Sequence, residues 1–178
     1  PEKPTIGIMS SLPVFGSPGN PMMQQMGQSG GSAPWTFIQQ LQQDYNVKNI
    51  ELGATNIGDD VKVLIVIHPK GITDETQYAI DQFVLRGGKL IAFLDPLSAY
   101  ASKQQNPMMG QSGGSSSSLD KLLNAWGLKF DTGKVVADLD FKLQLSGPDG
   151  QPVDAPAWLG LTPDGINQKD IVTSQIDS

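Results

Sequence analysis

Cysteine is absent from the 178 residues of this chain, and histidine occurs once. The first absence excludes a disulfide framework and any thiolate metal site. Together they leave zinc too few ligands for a structural site. Positive charge is also scarce: 12 Lys and Arg stand against 18 Asp and Glu, for a formal net charge of -6. The basic residues are scattered singly, as at Lys62, Lys70, Arg86, Lys89 and Lys103. A surface that binds nucleic acid concentrates such charge on one face, so that class is excluded. No apolar run approaches the roughly 20 residues that cross a bilayer, and there is no signal peptide. The chain opens on Pro1 and its last residues form no obvious closing element. Both ends read as cut, as in a piece of a longer protein whose targeting and membrane segments lie outside it. The length is enough for one domain with a sizeable core.

What is present is dominated by residues 63–96. Val63-Leu64-Ile65-Val66-Ile67 is an uninterrupted, mostly β-branched apolar run, which predicts a strand covered on both faces. His68-Pro69-Lys70-Gly71 breaks it. Thr73 stands where an N-cap belongs, with Asp74 and Glu75 in the first turn, where carboxylates favour the positive end of the helix dipole. Ala79, Ile80, Phe83 and Val84 give the helix one apolar face, Gly87-Gly88 closes it, and residues 89–94 form a second apolar strand ending at Asp95-Pro96. A crossover of this length joins parallel strands.

Around this βαβ unit, residues 5–9 read as a first strand and residues 47–52 as an edge strand with alternating polarity. Between them Pro34 opens a helix with Trp35, Ile38, Leu41 and Tyr45 as its buried stripe. Residues 119–126 form a helix ended by Gly127, and Val135-Val136-Ala137 reads as the last core strand. From residue 139 the grammar changes to period two, with Gly147-Pro148-Asp149-Gly150 as a turn between residues 141–145 and 151–159. The expected fold is therefore α/β: a three-layer, mostly parallel sheet over residues 1–138, with an antiparallel hairpin in residues 139–178 as an extension of the same domain.

Two loops, residues 10–32 and 102–118, are rich in Gly, Ser, Gln and Met and share a repeated sequence. Asn20-Pro21-Met22-Met23, followed by Met26-Gly27-Gln28-Ser29-Gly30-Gly31-Ser32, recurs as Asn106-Pro107-Met108-Met109-Gly110-Gln111-Ser112-Gly113-Gly114-Ser115. Each copy follows a strand and precedes a helix, so both are expected at the carboxyl edge of the sheet, where open α/β sheets bind ligands. They read either as low-complexity loops or as an adaptable surface in which Met22, Met23, Met26, Met108 and Met109 meet a partner protein or apolar ligand. Thioethers alone, without His or Cys, make a poor soft-metal site.

Catalytic chemistry is sparsely represented. His68 and Ser98 follow strands at their carboxyl ends, and Asp95 precedes Pro96; together they are candidates for a hydrolase-like set or for a ligand site. Ser98 lacks a G-x-S-x-G elbow, a lone His before Pro is commonly a turn residue, and Asp95 before Pro96 is better suited to cap the turn that follows. Asp138 and Asp140 are further carboxylates expected near the same edge. No Walker loop occurs, and Gly16, Gly19, Gly27, Gly30 and Gly31 do not have dinucleotide-binding spacing. No catalytic residue, metal or cofactor is assigned.

The segment IVIHPKGITDETQYAIDQFVLRGGKLIAFLDP resembles the auxiliary-component family of ABC-type transport systems associated with gliding motility, and is similar to a domain of intraflagellar-transport proteins. The matching residues are Ile67, Pro69, Thr73, Asp74, the run Ala79-Ile80-Asp81-Gln82-Phe83-Val84, Gly87-Gly88 and Asp95-Pro96. The resemblance implies a flavodoxin- or amidotransferase-like sheet on the extracytoplasmic, periplasmic side of a membrane-anchored protein. Its partners would be the ABC permease and ATPase subunits, with a small molecule or peptide as a candidate ligand and the membrane reached through segments outside this chain. Amidotransferase relatives use a cysteine, which this chain lacks, and the family offers no catalytic motif to carry over. The expected function is a non-catalytic binding domain; the alternatives are a hydrolase-like enzyme built on Asp95, Ser98 and His68, and a purely structural scaffold that stabilises the transporter complex or dimerises through its hairpin.

Overall fold

Four short segments, three of them apolar runs and one alternating in polarity, build one parallel sheet. In the computed structural model, which describes residues 3–17, 31–104, 115–147 and 149–174, the strands are β1 (Thr5–Ser10), β2 (Asn46–Asn49), β3 (Val61–Ile67) and β4 (Lys89–Phe93). They lie in the order β2-β1-β3-β4, and every neighbouring pair is parallel. The helices are α1 (Thr36–Asp44), α2 (Asp74–Leu85), α3 (Ala99–Gln104) and α4 (Asp120–Ala125). The chain divides into two compact units, Pro1–Gly133 and Lys134–Ser178. Among the described residues no helix is long and apolar enough to cross a membrane.

The sheet is buried on both faces at its centre, as its β-branched runs require. On one face Met9, Leu64 and Val66 pack with Ile80 and Phe83 of α2 and with Leu119 and Leu122 at α4. On the other, Ile6 and Ile8 pack with Val14 and with Ile38 of α1, joined by the half-buried Val63, Ile65 and Ile67. The result is the expected three-layer arrangement. The alternating polarity of residues 47–52 predicts an edge, and β2 is one: of its four residues only Val47 is half-buried and the others are exposed.

Helix α2 follows its sequence signals closely. The Thr73 hydroxyl accepts the Thr76 N–H at 3.2 Å, and Asp74 and Glu75 occupy the first turn. At the far end Gly87 takes a φ of 96°, and the Gly88 N–H reaches back to the Phe83 carbonyl at 3.0 Å, closing the last turn. Three polar contacts then staple α2 to its surroundings. Thr76 Oγ1 donates to the Leu52 carbonyl at 2.8 Å, Gln77 Oε1 accepts the Leu122 N–H at 3.1 Å, and the Trp126 indole donates to Asp81 at 2.8 Å.

Two expectations are corrected. Residues 102–104, expected to open a flexible tract, belong to the short helix α3, because Ser98 caps it: its hydroxyl accepts the Ala101 N–H at 3.2 Å. Residues 135–137, expected as the last core strand, form no strand, and Val136 is 76% exposed. That run is too short to outweigh the turn that follows, in which Asp138 donates its N–H to the Pro156 carbonyl while its carboxylate accepts the Asp140 and Phe141 N–H groups. The second unit is the hairpin of β5 (Lys142–Ser146) and β6 (Pro152–Leu159), antiparallel as predicted, followed by a 3-10 turn at Pro163–Gly165.

Candidate functional site at the carboxyl edge of the sheet

Because β1 is followed by β2 on one side and neighbours β3 on the other, the strand order reverses between β1 and β3. Open α/β sheets form their ligand crevice outside the carboxyl ends at such a point. Here the two strands are tied together beyond their ends: the Ser11 hydroxyl donates to the carbonyl of His68. The same carbonyl accepts the Lys70 N–H at 2.7 Å, while the His68 N–H extends the β3–β4 ladder to the Phe93 carbonyl at 2.9 Å.

His68 is the unusual residue of this edge. Its φ of 45° lies in the left-handed region, and it is the one described non-glycine residue there. It is 3% exposed, and neither ring nitrogen has a hydrogen-bond partner among the described residues. Burial pushes the imidazole below its ordinary value of 6.5; the negative charge of Asp95 opposes the shift and the positive charge of Lys70 adds to it. An unfolded His68 gains its proton as pH falls through about 6.5, whereas the folded ring resists until lower pH, so in that window the unfolded state binds more protons. Stability is therefore full above the window and falls as pH drops through it. Urea unfolding at about pH 7.5 and about pH 5.5 should show a larger loss for the wild type than for His68→Asn, which keeps a residue tolerant of positive φ but cannot titrate. Equal losses in the two proteins would remove His68 as the cause.

Asp95 and Ser98 sit at the neighbouring strand end and act as caps. Asp95 Oδ1 accepts the Leu97 N–H at 2.8 Å. Ser98 is 5% exposed and turns its hydroxyl oxygen to α3. A hydrolase built on these residues needs His68 hydrogen-bonded to Ser98 or to a carboxylate. The fold brings the three to one edge but leaves the imidazole unbonded to either. Asp138 and Asp140 lie in the second unit, where Asp138 caps its own turn. Among the described residues no group of His, Asp and Glu is arranged to hold a metal ion. Met22, Met23, Met26, Met108 and Met109 lie outside the described residues.

Residue type alone gives no warning of the strap formed by residues 115–118. Ser117 and Asp95 bond twice, Ser117 N–H to the Asp95 carbonyl at 2.9 Å and Asp95 N–H to Ser117 Oγ at 3.1 Å, and the Ser98 N–H meets the Ser115 carbonyl at 3.0 Å. Low-complexity serine by composition, these residues are half-buried or buried, and only their position just before α4 hints at it. The strap also closes the base of the second Met/Gly/Ser tract. The first tract is closed similarly, by an antiparallel bridge in which Ser17 and Ser32 exchange N–H···O bonds of 3.1 Å. Gly16, at φ 80°, is required there, since a Cβ would strike the Ser32 carbonyl.

Between the strap and the loop after β3 lies a polar cavity of about 350 Å³. Pro69, Lys70, Gly71 and Ile72 form one wall, Ser116, Ser117 and Ser118 the other, and Gln77 and Phe130 contribute from α2 and from beyond α4. Hydroxyls, an amide, an ammonium, the carboxylate of Asp120 and an aromatic ring suit a polar ligand or a partner's side chain better than an apolar one.

No curated protein and no solved structure matches the chain. A family model described as "ABC-type uncharacterized transport system" matches residues 3–178, and the chain thus belongs to this family of auxiliary components of ABC transport.

Proposed function

We propose that this chain is a non-catalytic recognition domain of a membrane-anchored ABC transporter auxiliary protein, working on the periplasmic face beside the permease and ATPase, as in the gliding-motility systems it resembles. Family membership supports the transport role. The observation that carries the recognition role is the polar cavity of about 350 Å³ at the carboxyl edge, walled by the loop after β3 and the serine strap. The unlinked Asp95, Ser98 and His68 favour binding over hydrolysis at this edge. Its occupant is a polar small molecule or a peptide segment of a transporter subunit.

Filling the cavity tests the reading. Ser116 is only half-buried, so Ser116→Trp can occupy the space without entering the core. In cells making the full-length protein, the variant should co-purify with permease and ATPase at least about tenfold less well, a loss of about 1.4 kcal/mol of binding free energy. Its thermal unfolding midpoint should match the wild type. Undiminished co-purification and undiminished transport by a folded Ser116→Trp protein would overturn the role of the cavity.

A further inference from the structure

Among the described residues β4 ends the sheet, and its edge carries little of the usual protection. Strands exposed in this way are blunted by Pro, bulges or several charges. β4 has no Pro, pairs with β3 in unbroken register from Lys89 to Phe93, and carries a single charge at its start. Because the Phe93 carbonyl accepts the His68 N–H, the main-chain groups of Ile91 and Phe93 face β3. Those of Leu90, Ala92 and Leu94 therefore face outward, and no strand among the described residues pairs with them. On the sheet face that α1 covers at β1 and β3, Ile91 is 46% exposed and Phe93 59% exposed, continued by Leu97 at 64%.

We infer that a second copy of this chain adds its own β4 to this edge, antiparallel across a two-fold axis at Ala92, making one continuous sheet. The sequence of the edge is complementary to itself about that point. Lys89-Leu90-Ile91-Ala92-Phe93-Leu94-Asp95, read against its reverse, sets Leu90 opposite Leu94, Ile91 opposite Phe93 and Lys89 opposite Asp95 of the other copy. The outward-facing residues Leu90, Ala92 and Leu94 become the hydrogen-bonded pairs, Ala92 with its own counterpart. Ile91 and Phe93 then cover each other on the exposed face, and the charge pair closes each end, where Asp95 engages only Oδ1 in its own turn. A twofold contact of this kind uses the same patch on both copies and leaves no β4 edge free. This inference goes beyond the recognition role of the cavity and does not depend on it.

The cysteine-free chain permits a direct test. Opposed Cα atoms of a hydrogen-bonded antiparallel pair lie about 5.5 Å apart, within disulfide range. Ala92→Cys should therefore cross-link two copies rapidly under mild oxidation, whereas Leu85→Cys, on exposed α2 surface, should not. Sedimentation of the wild-type chain at rising concentration should approach twice the monomer mass. Ala92→Pro removes only an outward N–H and should leave a folded monomer, and Lys89→Glu, which sets two carboxylates opposite each other, should weaken association several-fold. A wild-type chain that stays monomeric would overturn the inference, as would a dimer indifferent to folded Ala92→Pro or no faster cross-linking at 92 than at 85. An Ala92 amide protected from exchange in the monomer would also overturn it and give the edge to another segment of the same chain.

Discussion

Phe83→Ala is expected to lower the stability of the first unit by about 3–5 kcal/mol, the range for truncating a buried aromatic ring. Phe83 is 2% exposed in the cluster that joins β3 to α2 and α4, with Leu64, Val66, Ile80 and Leu122 as fellow members. Two features keep the resulting hole from collapsing. The Gly88 N–H is held on the Phe83 carbonyl, and β4 begins at the next residue, so the chain beside the ring cannot move in. The guanidinium of Arg86, 5.9 Å from the ring centroid, also loses its aromatic face. Against a typical total of about 5–15 kcal/mol, this loss is a large fraction of what holds a domain together. Urea denaturation followed by Trp fluorescence reads the effect, and a loss below about 1 kcal/mol would mean that the ring does not fill the core as described.

Gly88→Ala should destabilise by about 1–3 kcal/mol through the opposite fault, an excess of atoms. A Cβ at Gly88 would lie inside van der Waals contact with three atoms of the Phe83 ring, which is itself almost wholly buried. Neither neighbour can yield cheaply: the ring is wedged in the core, and Gly88 is fixed between the helix end and β4. The two substitutions must therefore be non-additive. In a Phe83→Ala background the methyl group that Gly88→Ala adds enters vacated space, and its cost should vanish or reverse, giving a coupling within the roughly 0.5–3 kcal/mol found for residues in contact. Additive losses in the double-mutant cycle would place the origin of the Gly88 effect elsewhere.

The βαβ unit was legible because its signals are local. A β-branched run, a Thr-Asp-Glu start and a Gly-Gly stop act within a few residues of one another, and the structure honours each, in β3, at Thr73 and at Gly87. The carboxyl edge was legible in outline for the same reason: strand direction alone brings His68, Asp95 and Ser98 to one side of the sheet. What sequence could not supply was long-range pairing. The docking of α4 depends on Gln77 reaching Leu122, the strap depends on Ser117 meeting Asp95, and neither residue type advertises a partner so far along the chain. The failure at residues 135–137 has the same root. Their β-branched character was visible, but the hold of Pro156 on Asp138 was not. His68 is legible only in part. Its place before Pro69 suggests a hydrogen-bonded turn residue, which its main-chain bonds to Phe93 and Lys70 make it. It does not suggest that the ring is buried, at a positive φ, without a hydrogen-bond partner among the described residues.

The paired bases of the two Met/Gly/Ser tracts have a consequence for how this protein can change over generations. Ser17 is clasped to Ser32, and Ser98 to Ser115, by main-chain bonds that ask nothing of the side chains between them. A segment whose ends are already fixed together can lengthen cheaply, each doubling costing only about 0.6 kcal/mol of closure entropy. Added length between the clasps therefore costs little closure entropy, so a motif copied from one tract into the other is tolerated on that account. The repeated Asn-Pro-Met-Met sequence is what such an exchange between two clasped tracts would leave behind.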